Sequence, residues 1–68
     1  MNLFVSFEYT SRFRDVFDKG YSNIILDNTA MPRNQEELEQ LTIELTELYI
    51  KLNRYDAATI TILFFNEV

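Results

Sequence analysis

The sequence predicts an α+β domain with a three-stranded antiparallel sheet, in the order 2-1-3, and one amphipathic helix packed on one face. Three observations predict it. Residues 34–53 repeat leucine at helical spacing. Residues 2–10 and 57–66 are rich in aromatic and β-branched side chains, as strands are. A third such segment, residues 21–28, precedes the helix. The order along the chain is therefore β-β-α-β.

The helix has clear start and end signals. Asn34 is a favoured N-cap residue, and Glu37 stands three positions later, so the two side chains can each accept from a free amide at the helix start. Asn53 is the residue expected to take the left-handed conformation at the end. The leucines fall on one stripe, which predicts that all are buried: Leu38, Leu41, Leu45, Leu48 and Leu52.

Ile43 and Ile50 break this pattern because they lie roughly opposite the leucine stripe. They are seven residues apart, so they share a face, and Glu36, Glu39 and Glu47 flank them. Two interpretations stay open. They are two singly exposed apolar residues, as folded proteins often have, or they form a second contact strip for a partner or for another copy of the chain.

Alternation predicts which strand residues face the helix. In the first strand, Asn2–Thr10, the inward side chains are Leu3, Val5, Phe7 and Tyr9. In the second, Tyr21–Asn28, they are Ile24 and Leu26. In the third, Ala57–Asn66, strict alternation points Ile60, Ile62 and Phe64 inward and Leu63 and Phe65 outward. A right-handed helical crossover passes over the first strand, which makes that strand central.

Residues 12–20 are expected to connect the first two strands as an extended, partly exposed segment. Phe13 and Phe17 stand there between charged residues, and connecting segments often carry binding residues. The alternative is that both rings fold back over the edge of the core. Gly20, the only glycine, is the expected position for a positive φ.

One helix covers one face of such a sheet, so the other face is expected to expose Phe4, Leu63 and Phe65, with Ile25 as a further candidate. An exposed apolar patch indicates an interaction surface. The third strand is also an edge with no charge between Asp56 and Glu67, which favours pairing with another strand. Both features predict self-association or a protein partner.

Composition limits the function further. The 68 residues form one domain, 1–68, with no cysteine or histidine, so neither a disulfide nor a His/Cys zinc site can add stability, and a homodimer is expected. No apolar run is long enough to span a bilayer, and no signal-peptide pattern is present, which predicts a cytoplasmic protein without a membrane partner. Residues 34–68 carry the whole net charge of -5, which disfavours direct binding to nucleic acid.

No catalytic motif is visible, so no enzymatic activity is expected. The chain has no histidine for acid–base chemistry, no cysteine nucleophile and no glycine-rich phosphate loop. Glu44 and Glu47 could both touch a divalent ion, but two carboxylates without a preorganised loop bind it weakly. We therefore expect no cofactor and no metal.

Several motifs resemble those of a loose group of small, mostly uncharacterised bacteriophage and prophage proteins. They are the aromatic first strand Phe4–Tyr9, the turn Gly20-Tyr21-Ser22-Asn23, the acidic helix Asn34–Leu52 and the final strand Ile60–Phe65. The resemblance implies an origin in a mobile element and a non-enzymatic role, in which the protein binds and blocks or redirects a host protein.

The expected function is therefore a protein–protein interaction module that inhibits or modulates a host or defence protein in the host cytoplasm. A nucleic-acid mimic that occupies a basic groove, and a structural subunit of a larger assembly, remain alternatives. The candidate contact residues lie on the hairpin, the helix and the outer sheet face: Phe13, Phe17, Tyr21, Glu36, Glu39, Ile43, Glu44, Glu47, Ile50, Leu63 and Phe65.

Overall fold

The fold is built from three strands of equal length and one helix. The computed structural model describes residues 1–68. Its elements are β1 (Leu3–Phe13), β2 (Val16–Leu26), α1 (Gln35–Asn53) and β3 (Ala57–Glu67). The sheet order is β2-β1-β3 with both pairings antiparallel, which confirms the predicted α+β architecture and the central place of β1.

The β1–β2 hairpin is longer than the sequence predicted. Both strands extend through the segment expected to be a connection, and only Arg14 and Asp15 form the turn. Arg14 takes the positive φ, at 57°. The expectation for Gly20 was wrong: its φ is not positive, and it lies opposite Tyr9 in the ladder. A Cβ atom at Gly20 would stand 3.2 Å from Tyr9 Oη, so glycine leaves room for the tyrosine ring.

The helix begins at the predicted cap, but its left-handed terminal residue comes one position later than predicted. The Asn34 side chain accepts a hydrogen bond from the Glu37 amide at 2.9 Å. The Glu37 carboxylate accepts one from the Arg33 amide at 3.0 Å, one residue before the expected Asn34. At the far end Arg54, not Asn53, is left-handed, with φ 59°. Asn53 remains helical and donates from its side chain to the Tyr49 carbonyl.

The core lies between the helix and the first half of β1. Its buried members are Leu3, Val5, Phe7, Leu41, Leu45 and Ile60. Of the leucine stripe, Leu38 and Leu48 are half-buried and Leu52 is 63% exposed, so the prediction that all five are buried was wrong. On the helix the buried cluster ends at Leu45, with Tyr49 packed at its margin, so Leu52 lies beyond it in the last turn. On the hairpin the helix-facing positions after Tyr9 are Ser11 and Asp18, and apolar side chains return only at the tip.

A β-bulge changes the faces of β3. Phe7 pairs with Ile62 and Ser6 pairs with Phe64, so Leu63 is the extra residue on β3. Every side chain after it lies on the face opposite to the one that strict alternation predicts. Phe65 therefore packs against the core, and Phe64 lies on the outer face and is 56% exposed. The expectation that Phe65 points outward and Phe64 inward was wrong.

Candidate protein interface

The uncovered face of the sheet carries an apolar cluster, which we call the outer patch: Phe4, Ile25 and Phe64. Phe4 lies on the central strand directly opposite Ile25 of β2. Its ring meets that of Phe64 on β3 edge to face, with centroids 6.4 Å apart. Phe4 is half-buried, whereas Ile25 and Phe64 are each more than half exposed. No element of the chain covers this patch.

Two further exposed aromatic residues lie on the same face at increasing distance from the outer patch. The register places Tyr21 opposite Glu8 and Phe17 opposite Arg12. Both rings are about three-quarters exposed, at 76% for Tyr21 and 77% for Phe17. The apolar character of the face is thus concentrated at one end, and polar residues separate that end from the aromatic side chains of the hairpin.

The hairpin end is exposed and is tied to β3. Phe13 is 44% exposed, on the face opposite to Phe17, so neither ring folds back over the core. The Arg14 guanidinium lies 5.2 Å from the Phe13 ring centroid, within cation–π range. Asp56 holds the turn by accepting from the Arg14 amide at 2.6 Å and by an ion pair with Arg12 at 4.0 Å.

A groove runs between the helix and the free edge of β3, and we call it the β3 groove. Its larger part has a volume of about 470 Å³, and four of its eight lining residues are apolar: Leu38, Ile43, Ile60 and Ile62. An adjoining recess of about 390 Å³ shares Ile43 and Ile60 with it and continues along β3. Ile43 is 52% exposed at the point where the two recesses meet. Ile50, its expected companion, is half-buried and lines neither recess.

The four glutamates singled out from the sequence are all exposed, but the structure divides them into two pairs. Glu39 lines the larger part of the β3 groove and Glu47 lines the adjoining recess. Glu36 and Glu44 line neither. No arginine or lysine stands within ion-pair distance of any of the four, because the ion pairs of the chain involve only Asp56 and Glu37.

An aromatic cluster surrounds Tyr49 near the end of the helix. The Tyr49 ring lies 5.3 Å from those of Phe7 and Tyr9, and 5.6 Å from that of Tyr55. Burial, followed by the neighbouring phenolates of Tyr55 and Tyr9, raises the pKa of Tyr49 from 10.0 to about 12. The hydroxyl therefore stays protonated throughout the physiological range, and the cluster acts as packing.

Sequence reasoning missed Phe64 and the division of the glutamates. The signal for Phe64 was the run Leu63-Phe64-Phe65, because three large apolar side chains in a row cannot all face the core in a strand with one covered face. The signal for the groove was the spacing of Glu39, Ile43 and Glu47, which are four residues apart and therefore share one side of a helix.

No group of three or more His, Cys, Asp or Glu side chains could hold a metal ion. No helix is both long and apolar enough to cross a membrane. No protein-family model, no curated protein and no solved structure matches this chain. The arrangement of its side chains is therefore the ground for the proposals that follow.

Proposed function

We propose that this chain is a small non-enzymatic protein–protein interaction module that binds its partner through the outer patch. The single observation that carries the proposal is that Phe4, which meets the Phe64 ring and stands opposite Ile25, forms with them an apolar cluster on a sheet face that nothing covers. Aromatic side chains are enriched at the centres of protein interfaces, where their large apolar area is desolvated on binding. A contiguous exposed patch on such a small protein supports an interaction role.

The size of the chain supports a partner as well. A chain of 68 residues buries only about 60% of the surface of its unfolded state. Six apolar residues make up its buried core. Covering the outer patch with a second copy, or with a host or defence protein in a phage-infected cell, would supply the apolar burial that the isolated chain lacks. We propose a homodimer as the resting state and inhibition or redirection of such a protein as the role.

The experiment compares Phe64→Asp with a matched control, Thr10→Asp. Both residues lie on the outer face, and both changes add one negative charge. Thr10, however, lies towards the hairpin turn, six residues along β1 from Phe4 and so far from the outer patch. Sedimentation velocity over a range of protein concentrations measures self-association, and capture on a column of immobilised protein measures partner binding. We expect Phe64→Asp to lose association and Thr10→Asp to keep it. Equal association of the wild type and both variants, with all three folded by circular dichroism, would refute the proposal.

A nucleic-acid mimic is the second candidate. It is supported by the exposure of the four helix glutamates and by their lack of cation partners. It predicts that binding to a nucleic-acid-binding protein falls steeply with salt and is lost on reversal of all four charges, Glu36, Glu39, Glu44 and Glu47. Binding through the outer patch predicts only a mild dependence on salt, so a salt titration of the captured complex separates the two.

A further inference from the structure

The free edge of β3 is unprotected over its first six residues. β3 pairs with β1 on one side only, and no other backbone group bonds to its far side. Natural edges are usually blocked by proline, by charged side chains or by a bulge. The segment 57–62 has neither a proline nor a charge, and the bulge at Leu63 comes only after it. Segment 57–62 therefore offers a regular row of unpaired amides and carbonyls.

The same segment forms one wall of the β3 groove. Ile60 and Ile62 line its larger part, and Ala58 and Thr59 line the adjoining recess. A strand added to this edge would project alternate side chains into the groove, towards the helix. Ile43, Ile60 and Thr42 line both recesses, so two of the three side chains at the centre of the groove are apolar. The added strand should therefore carry an apolar side chain at the position that faces Ile43.

Charge decides which occupant fits. Glu39 and Glu47 stand on either side of Ile43, and no arginine or lysine lines either recess. A second copy of the chain paired through the same edge would bring its own two glutamates to the junction. It would also contribute a strand segment, 57–62, without a basic residue. Like charges across an interface oppose association, so the groove favours a basic segment of another protein over a second copy.

The spacing of the two carboxylates sets the pattern of that segment. Glu39 and Glu47 are eight helical residues apart, which is about 12 Å at 1.5 Å per residue. Four residues of an extended strand cover about 13 Å. Side chains at positions i, i+2 and i+4 of a strand share one face, so a basic, apolar, basic sequence at these positions matches Glu39, Ile43 and Glu47.

We propose that an extended segment of a partner protein adds to residues 57–62 as a fourth strand, with lysine or arginine at i and i+4 and an apolar residue at i+2. The backbone edge supplies the hydrogen bonds, Ile43 and Ile60 receive the apolar side chain, and the two glutamates pair with the basic ones. This is a second binding surface, distinct from the outer patch, and it goes beyond the function proposed above.

The test uses the whole protein and a fluorescein-labelled peptide, Thr-Lys-Thr-Val-Thr-Lys-Thr, with fluorescence anisotropy as the readout. A peptide of the same composition, Thr-Lys-Lys-Val-Thr-Thr-Thr, places its two lysines on opposite faces of a strand. The key variant is Glu39→Lys/Glu47→Lys. Its matched control, Glu36→Lys/Glu44→Lys, changes the net charge equally on the same helix but outside the groove. Glu39→Gln/Glu47→Gln provides a milder variant if the reversed pair alters the helix.

We expect the first peptide to bind saturably and the scrambled one to bind about two- to fivefold more weakly, because it keeps the valine and one lysine on the groove face but loses the second ion pair. We expect Glu39→Lys/Glu47→Lys to lose at least about tenfold in affinity and the control to lose no more than about twofold. Equal losses in the two variants would show diffuse attraction to the acidic helix and would overturn the proposal, as would the absence of peptide binding to the wild type.

Two further results separate this proposal from its rivals. If the wild type self-associates and Glu39→Lys/Glu47→Lys changes that self-association, a second copy occupies the groove and the proposal is wrong. Phe64→Asp should bind the peptide like the wild type, because Phe64 lies on the opposite face of the sheet from the helix. Loss of association at the outer patch and loss of peptide binding in the groove are therefore measured independently.

Discussion

The β-bulge at Leu63 places Phe65 against the core and Phe64 on the outer face, so the two should contribute unequally to the free energy of unfolding. Alanine substitutions measure the difference. Truncation of a fully buried phenylalanine costs about 3–5 kcal/mol, and since Phe65 is half-buried against the core we expect Phe65→Ala to cost about 2–3 kcal/mol. Phe64 is 56% exposed, so Phe64→Ala should cost less than about 1 kcal/mol in the free energy of unfolding. A domain of this size has only about 3–5 kcal/mol from its core, so Phe65→Ala should remove most of its stability.

Urea unfolding followed by circular dichroism measures both values. With a slope of about 1 kcal/mol per M, Phe65→Ala should lower the midpoint by about 2–3 M and Phe64→Ala by less than about 1 M. The measurement is made at a protein concentration at which sedimentation shows a monomer, because Phe64 also contributes to the proposed interface. If Phe64→Ala lowers the midpoint as much as Phe65→Ala, the assignment of the two faces of β3 is wrong. If it lowers the midpoint more, β3 alternates without a bulge.

Three smaller predictions test the helix cap, the core and the aromatic cluster. Asn34→Ala removes the acceptor for the Glu37 amide and should cost about 1 kcal/mol in urea unfolding, whereas Asn34→Asp, which keeps that acceptor, should cost almost nothing. Ser11 is buried with an Oγ that has no hydrogen-bond partner, so Ser11→Ala should raise the free energy of unfolding by about 1 kcal/mol, and a loss would mean that the hydroxyl is bonded. The raised pKa means that the folded state holds the Tyr49 proton more tightly than the unfolded state, so the free energy of unfolding should fall as the pH rises from 10 to about 12. Thermal melts over this pH range measure the fall, and Tyr49→Phe should reduce it. An unchanged fall in Tyr49→Phe would contradict the assignment of the raised pKa to Tyr49.

The architecture could be predicted from the sequence because each element has its own local signal. The Asn34 cap and the leucine repeat define the helix, and the aromatic and β-branched residues define the strands. The short connections and the right-handed crossover then leave few topologies, and the observed order is the predicted one. The inward-facing residues before the bulge, such as Val5 and Ile60, were also identified correctly.

The errors in the sheet share a physical cause, because they depend on pairing between segments that lie apart in the sequence. Nothing local in β3 says that Leu63 is unpaired, because the bulge exists only in the register with Ser6 and Phe7. Likewise Gly20 has a strand conformation because it pairs with Tyr9 in the ladder, a pairing that composition alone does not reveal. The error at the bulge carried over to the candidate interface, because Phe65 was assigned to it in place of Phe64. The β3 groove was missed because it forms only where the helix and β3 pack together, which neither segment shows alone.

The order in which β1 acquires its two neighbours has a consequence for how the molecule folds. β1 meets β2 across a two-residue turn, but it meets β3 only after more than forty further residues, and Ile60 of β3 completes the cluster around Val5 and Phe7. A nascent chain that has emerged only as far as the helix therefore has a hairpin whose apolar residues are incompletely covered. The backbone groups of β1 that pair with β3 in the complete fold are still unpaired. Closing so long a loop has a high entropic cost and slows folding. Until β3 pairs, the nascent chain can be bound by chaperones, cleaved by proteases or aggregate with other copies of itself.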